Sequence, residues 1–156
     1  MTAPNRETAM FKHILLPTDG SPLSARAVVT GVDLAKALGA RVTGLFVAPP
    51  ATPLVFEHFL PVRYMEPDDH AALIEREAAH ALGQVENAAK AAGVPCETKQ
   101  LTSDYPADAI MTTAHRSKCD LIVMASHGRT GVSAMLLGSE TQKVLTHSKV
   151  PVLVHR

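Results

Sequence analysis

The sequence lacks a net charge: its 156 residues carry fifteen Lys plus Arg against fifteen Asp plus Glu. With no overall field to draw in nucleic acid or an anionic membrane, any anion the protein binds must be held by a local device. Cysteine is equally scarce. Cys96 and Cys119 stand far apart and fit no CxxC pattern, which excludes a disulfide framework and suits reduced thiols without a redox role. No apolar run approaches the roughly 18 residues that suggest a membrane span, and the polar N-terminus MTAPNRETAM has no apolar core of a secretory signal. A cytoplasmic protein without membrane contact is expected. Histidines at 13, 58, 70, 80, 115, 127, 147 and 155 show no HExxH or other tight ligand spacing, so no protein-held metal site is expected.

What is present is an alternation of apolar runs and amphipathic stretches, consistent with one domain. Residues 1–11 read as a mobile tail and 12–156 as the domain. HILLPTD, from His13, is a buried strand closed by turn residues. Ser21 can cap a helix whose first residue is Pro22, and Gly39 stops it after apolar positions Leu23, Ala27, Val28, Val32, Ala35 and Leu38. RVTGLFVA, Arg41 to Ala48, returns as a strand. The prolines of the following stretch, five from Pro49 to Pro67, argue against regular structure for most of an apolar excursion over 49–66. From Pro67 to Ala92 the apolar residues repeat at three or four, with Asp68 and Asp69 at the positive end of the dipole and Gly93 as the stop. PCETKQLTS suits a strand, Asp104 to Lys118 a third helix, DLIVMAS a nearly unbroken apolar strand, residues 138–148 a fourth helix, and VPVLVH a last strand.

This β-α-β-α-β-α-β-α-β order calls for an α/β fold, a doubly wound five-stranded parallel sheet with helices on both faces, flavodoxin-like or Rossmann-like. Such sheets bind ligands beyond the carboxyl ends of their strands. That rim gathers Pro17, Thr18 and Asp19 after the first strand, Val47 near the end of the second, and Ala125 to Ser139 after the fourth. A helix starting near Ser139 offers unpaired N–H groups and partial positive charge, while Gly128 and Gly138 let main chain approach a phosphate. The last strand should lie at a sheet edge, its outer N–H and C=O groups open to pairing.

The segment ASHG, the nine residues RTGVSAMLL, then GS and a helix followed by KVPVLV resemble the nucleotide-binding signature G-x2-G-x9-G-[ST] of the universal stress protein family. HILLPTDGS, ARVTGLFV and the order of elements over 12–156 agree with it. The resemblance implies the adenine nucleotide alpha hydrolase type of fold. It further implies that Asp19 and main chain at Val47 hold the adenine, and that Gly128, Gly138 and Ser139 hold ribose and phosphates. Pro17, Thr18, Ala125, Ser126, His127, Arg129, Glu140 and Thr141 complete the candidate nucleotide-binding set. The ligand implied is ATP, or AMP or ADP, with Mg2+ or Mn2+ carried by the phosphates. A two-fold homodimer through the last strand and an unidentified protein partner follow from the same resemblance. Ala125 departs from the pattern, standing where its first glycine would be; at a strand end a negative φ suits alanine.

Bland readings compete with these. Asp19 can be a turn residue, the glycines can merely permit turns, and Ser139 can cap a helix as well as donate to a ligand. Ser126, His127 and Arg129 are loop neighbours without a nearby acid, so they make no catalytic trio; His127 orients the loop, and Arg129 is a solvated side chain able to reach a phosphate. The leading function is a stress-response or regulatory module that binds ATP and is not an enzyme. A dimerisation module of the same fold without nucleotide, and a slow ATPase, are the alternatives.

Overall fold

The computed structural model describes residues 10–52, 54–57, 60–129 and 136–156. In chain order it runs β1 (His13–Pro17), α1 (Pro22–Leu38), β2 (Arg41–Ala48), β3 (Leu54–Glu57), β4 (Leu60–Tyr64), α2 (Pro67–Ala92), β5 (Cys96–Thr102), α3 (Pro106–Arg116), β6 (Leu121–Ala125), α4 (Ser139–His147) and β7 (Val152–His155). Five strands form one sheet in the order β5-β2-β1-β6-β7, every neighbouring pair parallel. Counted among these five this is 3-2-1-4-5, the Rossmann-like rather than the flavodoxin-like winding, and the direction of winding reverses between β1 and β6.

Alternation within the strands separates two cores. Ile14 and Leu16 of β1 join Val28, Val32 and Ala35 of α1 and Val85 and Ala89 of α2 on one face. Leu15, between them, joins Ala107, Ile110 and Ala114 of α3 and Val144 of α4 on the other. All three β1 side chains are wholly buried, and each such burial contributes about 1.5–3 kcal/mol. The doubly wound arrangement is therefore the consequence of strands apolar on both sides.

Most expected boundaries hold because the punctuation is strong. Ser21 caps α1 by accepting the Ser24 N–H (3.3 Å), and Gly39 and Gly93 end α1 and α2 in the left-handed conformation. The excursion over 49–66 needs correction. Leu54–Glu57 and Leu60–Tyr64 pair antiparallel as a two-stranded ribbon separate from the main sheet. Pro61 sits opposite Phe56 next to a register shift, and a ribbon of two edge strands tolerates a proline that a central strand would reject. The third helix is shorter than expected, beginning at Pro106 with no side-chain cap from Tyr105. Of the expected N-terminal tail, residues 1–9 lie outside the described residues; Phe11 packs partly buried against the α1/α2 core. The Cys119 thiol is pushed up to about 11, chiefly by burial, which makes it a packing group.

Candidate functional site at the winding reversal

Two turns meet where the sheet reverses. The turn after β1 is fixed by the Thr18 N–H donating to the Leu45 carbonyl (2.9 Å) and by the Thr18 hydroxyl accepting the Gly20 N–H (3.2 Å). Asp19 Oδ1 accepts the Ser21 N–H (2.9 Å) and the Ser24 hydroxyl (2.8 Å). Its other oxygen, Oδ2, accepts the Arg129 N–H (2.8 Å) from the turn after β6. One carboxylate thus ties together turns 110 residues apart in sequence. Burial by itself would raise the Asp19 carboxyl, but hydrogen bonds from Ser21, Ser24 and Arg129 outweigh it and hold the group below its ordinary 3.8. Asp19 is an anion near neutral pH and a poor proton acceptor.

This junction explains Gly128. A Cβ there would run into Asp19 Oδ2, so only glycine lets the carboxylate reach past it to the next N–H. Gly138 is equally constrained. Its N–H donates to the Ser126 carbonyl (2.7 Å), and an added Cβ would lie 3.2 Å from His127 Cα and 3.3 Å from that carbonyl. The two glycines hold the ends of the loop together at the crevice.

Gly138, not Ser139, is the N-cap of α4, and it carries no side chain to satisfy the first-turn N–H groups. Ser139 is the first helical residue, which corrects its reading as the cap; the chain needs the glycine where the cap falls because main chain lies against it. Those first-turn donors and the partial positive charge of the helix start form an anion-binding feature. Thr141 turns inward, its hydroxyl donating to the Ala125 carbonyl (3.0 Å) and fastening α4 to the end of β6. Glu140 points toward α3: Oε2 accepts the Ala107 N–H (2.8 Å), supplying the cap that Tyr105 does not, and Oε1 pairs with Lys143 (2.9 Å). Of this first turn, then, the Glu140 and Thr141 side chains are engaged elsewhere and only their main chain is oriented as a helix start.

Ala125 is buried and packs with Leu23 and Ala27 of α1. Among the described residues Lys118 is the sole non-glycine at positive φ, so the backbone at Ala125 makes no demand for glycine and its methyl belongs to the core. Pro17 ends β1 in register with Leu45, and Val47 packs partly buried on the α3/α4 side. Ser126 is buried, its N–H donating to the His155 carbonyl (2.8 Å), and its hydroxyl lies 3.1 Å from His127 Nδ1. Arg129 is exposed, as expected of a solvated side chain, and its guanidinium also pairs with Glu77 of α2 at 2.7 Å. Nothing in the linear pattern marks Glu77, which lies on the polar face of a long helix and meets Arg129 only through the fold.

A separate groove of about 390 Å³ runs between β5 and α3, lined by Lys99, Leu101, Tyr105 and Arg116 among others. It lies along an edge strand and the start of α3, away from the reversal, and no glycine lines it. The reversal is the better candidate because main-chain donors converge there. Among the described residues no three or more His, Cys, Asp or Glu side chains gather as a metal site, and no helix is long and apolar enough to cross a membrane.

Comparison with known proteins places this geometry. The model of the universal stress protein family matches residues 10–156. The chain is 34% identical over 145 residues to universal stress protein MJ0531 of Methanocaldococcus jannaschii, an alignment covering 93% of this chain and 82% of that protein. Its fold is similar to that of the universal stress protein UspA from Lactobacillus plantarum, with a TM-score of 0.74, 24% identity, and coverage of 96% of this chain and 100% of that one. A universal stress protein crystallised in complex with cAMP is 26% identical, with a TM-score of 0.65 and coverage of 92% and 95%.

Proposed function

The chain belongs to the universal stress protein family, and from that premise we propose that it is a nucleotide-binding module which holds an adenine nucleotide in the crevice between β1 and β6. The observation that carries this reading is the Asp19 junction: a half-buried anion locks the turns after β1 and β6 beside the uncapped start of α4. The adenine side is Asp19, Thr18, Pro17 and main chain at Val47; the phosphate side is Ser126 to Gly128, Gly138 and the first turn of α4 from Ser139. The solved relative bound to cAMP supports an adenine nucleotide over other anions. The core position of the Ala125 methyl supports nucleotide access despite the departure from the glycine pattern.

ATP, ADP and AMP all suit this cradle, and Mg2+ or Mn2+ would enter as part of a nucleotide complex. Binding rather than turnover is the proposed chemistry, because the half-buried Asp19 carboxylate is held below its ordinary range and so is poorly suited to act as a base. The biological unit is proposed to be a cytoplasmic homodimer paired through β7, which lies at the sheet edge next to β6. Nucleotide occupancy would then be read by a further protein partner.

A second reading keeps the fold and omits the nucleotide. It is favoured by the engagement of Asp19 with three protein donors, which makes the junction self-sufficient. Calorimetry on nucleotide-stripped protein separates the two. Saturable binding of ATP or AMP at one site per chain supports the module proposed; no heat from a protein that is folded by circular dichroism overturns it in favour of the interaction module.

A further inference from the structure

Arg129 is held twice. Its main-chain N–H donates to Asp19 Oδ2 (2.8 Å), which fixes its Cα at the site. Its guanidinium turns toward α2, where Nη1 meets Glu77 Oε1 at 2.7 Å. Nη2 passes over the turn after β1, 3.4 Å from where a Cβ on Gly20 would stand. Gly20 has φ of +78°, a backbone conformation that favours glycine, and the guanidinium lies within ordinary contact of this turn. Among the described residues, the turns after β1 and β6 contribute this one Lys or Arg between them.

Charge at the crevice follows from this pairing. Asp19 and Glu77 are anions and Arg129 is a cation, so the three together carry one net negative charge. Glu77 therefore cancels the cation best placed to meet a phosphate, and it adds a repulsion that grows with phosphate charge. The side chains of Glu77 and Arg129 are 35% and 42% exposed. A pair this accessible is weak and exchangeable, unlike a buried ion pair.

We infer that Glu77 is a specificity-determining residue: it sets how strongly the crevice discriminates among nucleotides by their number of phosphate charges, disfavouring triphosphates relative to monophosphates. The inference rests on the nucleotide reading above and adds to it a residue on a different helix from the phosphate cradle. Glu77 need not touch the ligand. It acts by occupying Arg129 and by its own charge within a screening length of the phosphates.

The test is a calorimetric series with ATP, AMP and adenosine, in EDTA so that no divalent ion masks the phosphate charge. It compares the unaltered protein with Glu77→Gln and Glu77→Lys. Glu77→Gln is expected to strengthen ATP binding about fivefold and AMP about twofold while leaving adenosine unchanged, and Glu77→Lys to enlarge each gain in the same order. Arg129→Gln is expected to reverse the pattern, weakening ATP most and adenosine not at all. Equal changes for all three ligands, or none, would show that Glu77 only supports the turn and would overturn the inference while leaving the nucleotide reading intact. Absence of binding by the folded, unaltered protein would overturn both.

Discussion

Asp19 carries the site at the scale of single residues, and its cost is visible in its neighbour. Because Gly128 gives way for the carboxylate, Gly128→Ala should force Asp19 from the Arg129 N–H. Urea unfolding should show a loss of about 1–3 kcal/mol, together with weakened nucleotide binding; an unchanged midpoint would show that the carboxylate reaches Arg129 by another path. Ala125 gives the converse prediction. Ala125→Gly removes a methyl packed on Leu23 and Ala27 and loosens the chain, costing about 1 kcal/mol, with ATP affinity changed by less than about twofold. A large gain in affinity would instead favour the module without nucleotide. Position at the strand ends and the resemblance to the family mark Asp19, Gly128 and Gly138 as candidates in the sequence, but do not show why glycine is needed at 128 and 138. For Gly128 the reason is a contact between turns 110 residues apart, and for Gly138 the main chain of Ser126 and His127 at the other end of the loop; no local pattern encodes either.

Among the elements, the helices were legible wherever proline and glycine punctuate them, as at Pro67 and Gly93 of α2. They were less so where the cap comes from elsewhere in the fold. The sequence places the start of α3 at Asp104, yet the donor at Ala107 is satisfied by Glu140 of α4. Glu140→Ala should therefore destabilise α3, costing about 1 kcal/mol. Hydrogen exchange should quicken in the first turn of α3 more than in the body of α4; protection lost in α4 alone would contradict the inter-helix cap. The β3–β4 ribbon escaped the sequence because its prolines signal irregularity, and Pro61 is compatible with a strand only when one side of that strand is unpaired.

Across the whole molecule, buried His13 and half-buried Asp19 divide the acid response. His13 Nε2 lies 2.6 Å from the Thr43 hydroxyl, which donates onward to Glu97 Oε1 (3.0 Å). The single hydroxyl proton is thus spent on Glu97, and Nε2–H must be the donor to Thr43. Nδ1 is buried and, among the described residues, finds no hydrogen-bond partner. Burial first, and the charge of Arg41 second, lower the His13 pKa from 6.5, against smaller opposing effects of Ser117, Glu97 and Asp120. The unfolded chain then binds the proton more readily, so stability is full above pH 6.5 and declines as pH falls through the folded value. Asp19 acts in a lower window, its contribution being present above 3.8 and lost as pH falls further. Thermal unfolding from pH 7 to 5 should show the first decline, and His13→Gln should flatten it; a slope that survives the substitution would assign it to another group.

The sheet's existence and its two covered faces were legible in the apolar runs, while the strand order had to come from the structure because β-α-β alternation permits more than one winding. The order places β7 at an edge. Pro151 and His155 turn their carbonyls inward to Ile122 and Ser126, so by alternation the Val154 N–H faces outward. Val154→Pro should spare the intramolecular ladder and weaken the proposed dimer, read as a lower mass by light scattering; an unaltered dimer would move the interface off β7.

The central claim, that an adenine nucleotide occupies the reversal between β1 and β6, is tested most directly by following backbone amide resonances while AMP is added. The account predicts saturable shifts concentrated at Thr18 to Gly20, Ser126 to Arg129 and Gly138 to Thr141. Shifts confined to the β5–α3 groove around Lys99, Tyr105 and Arg116, or no shifts at saturating nucleotide, would contradict it.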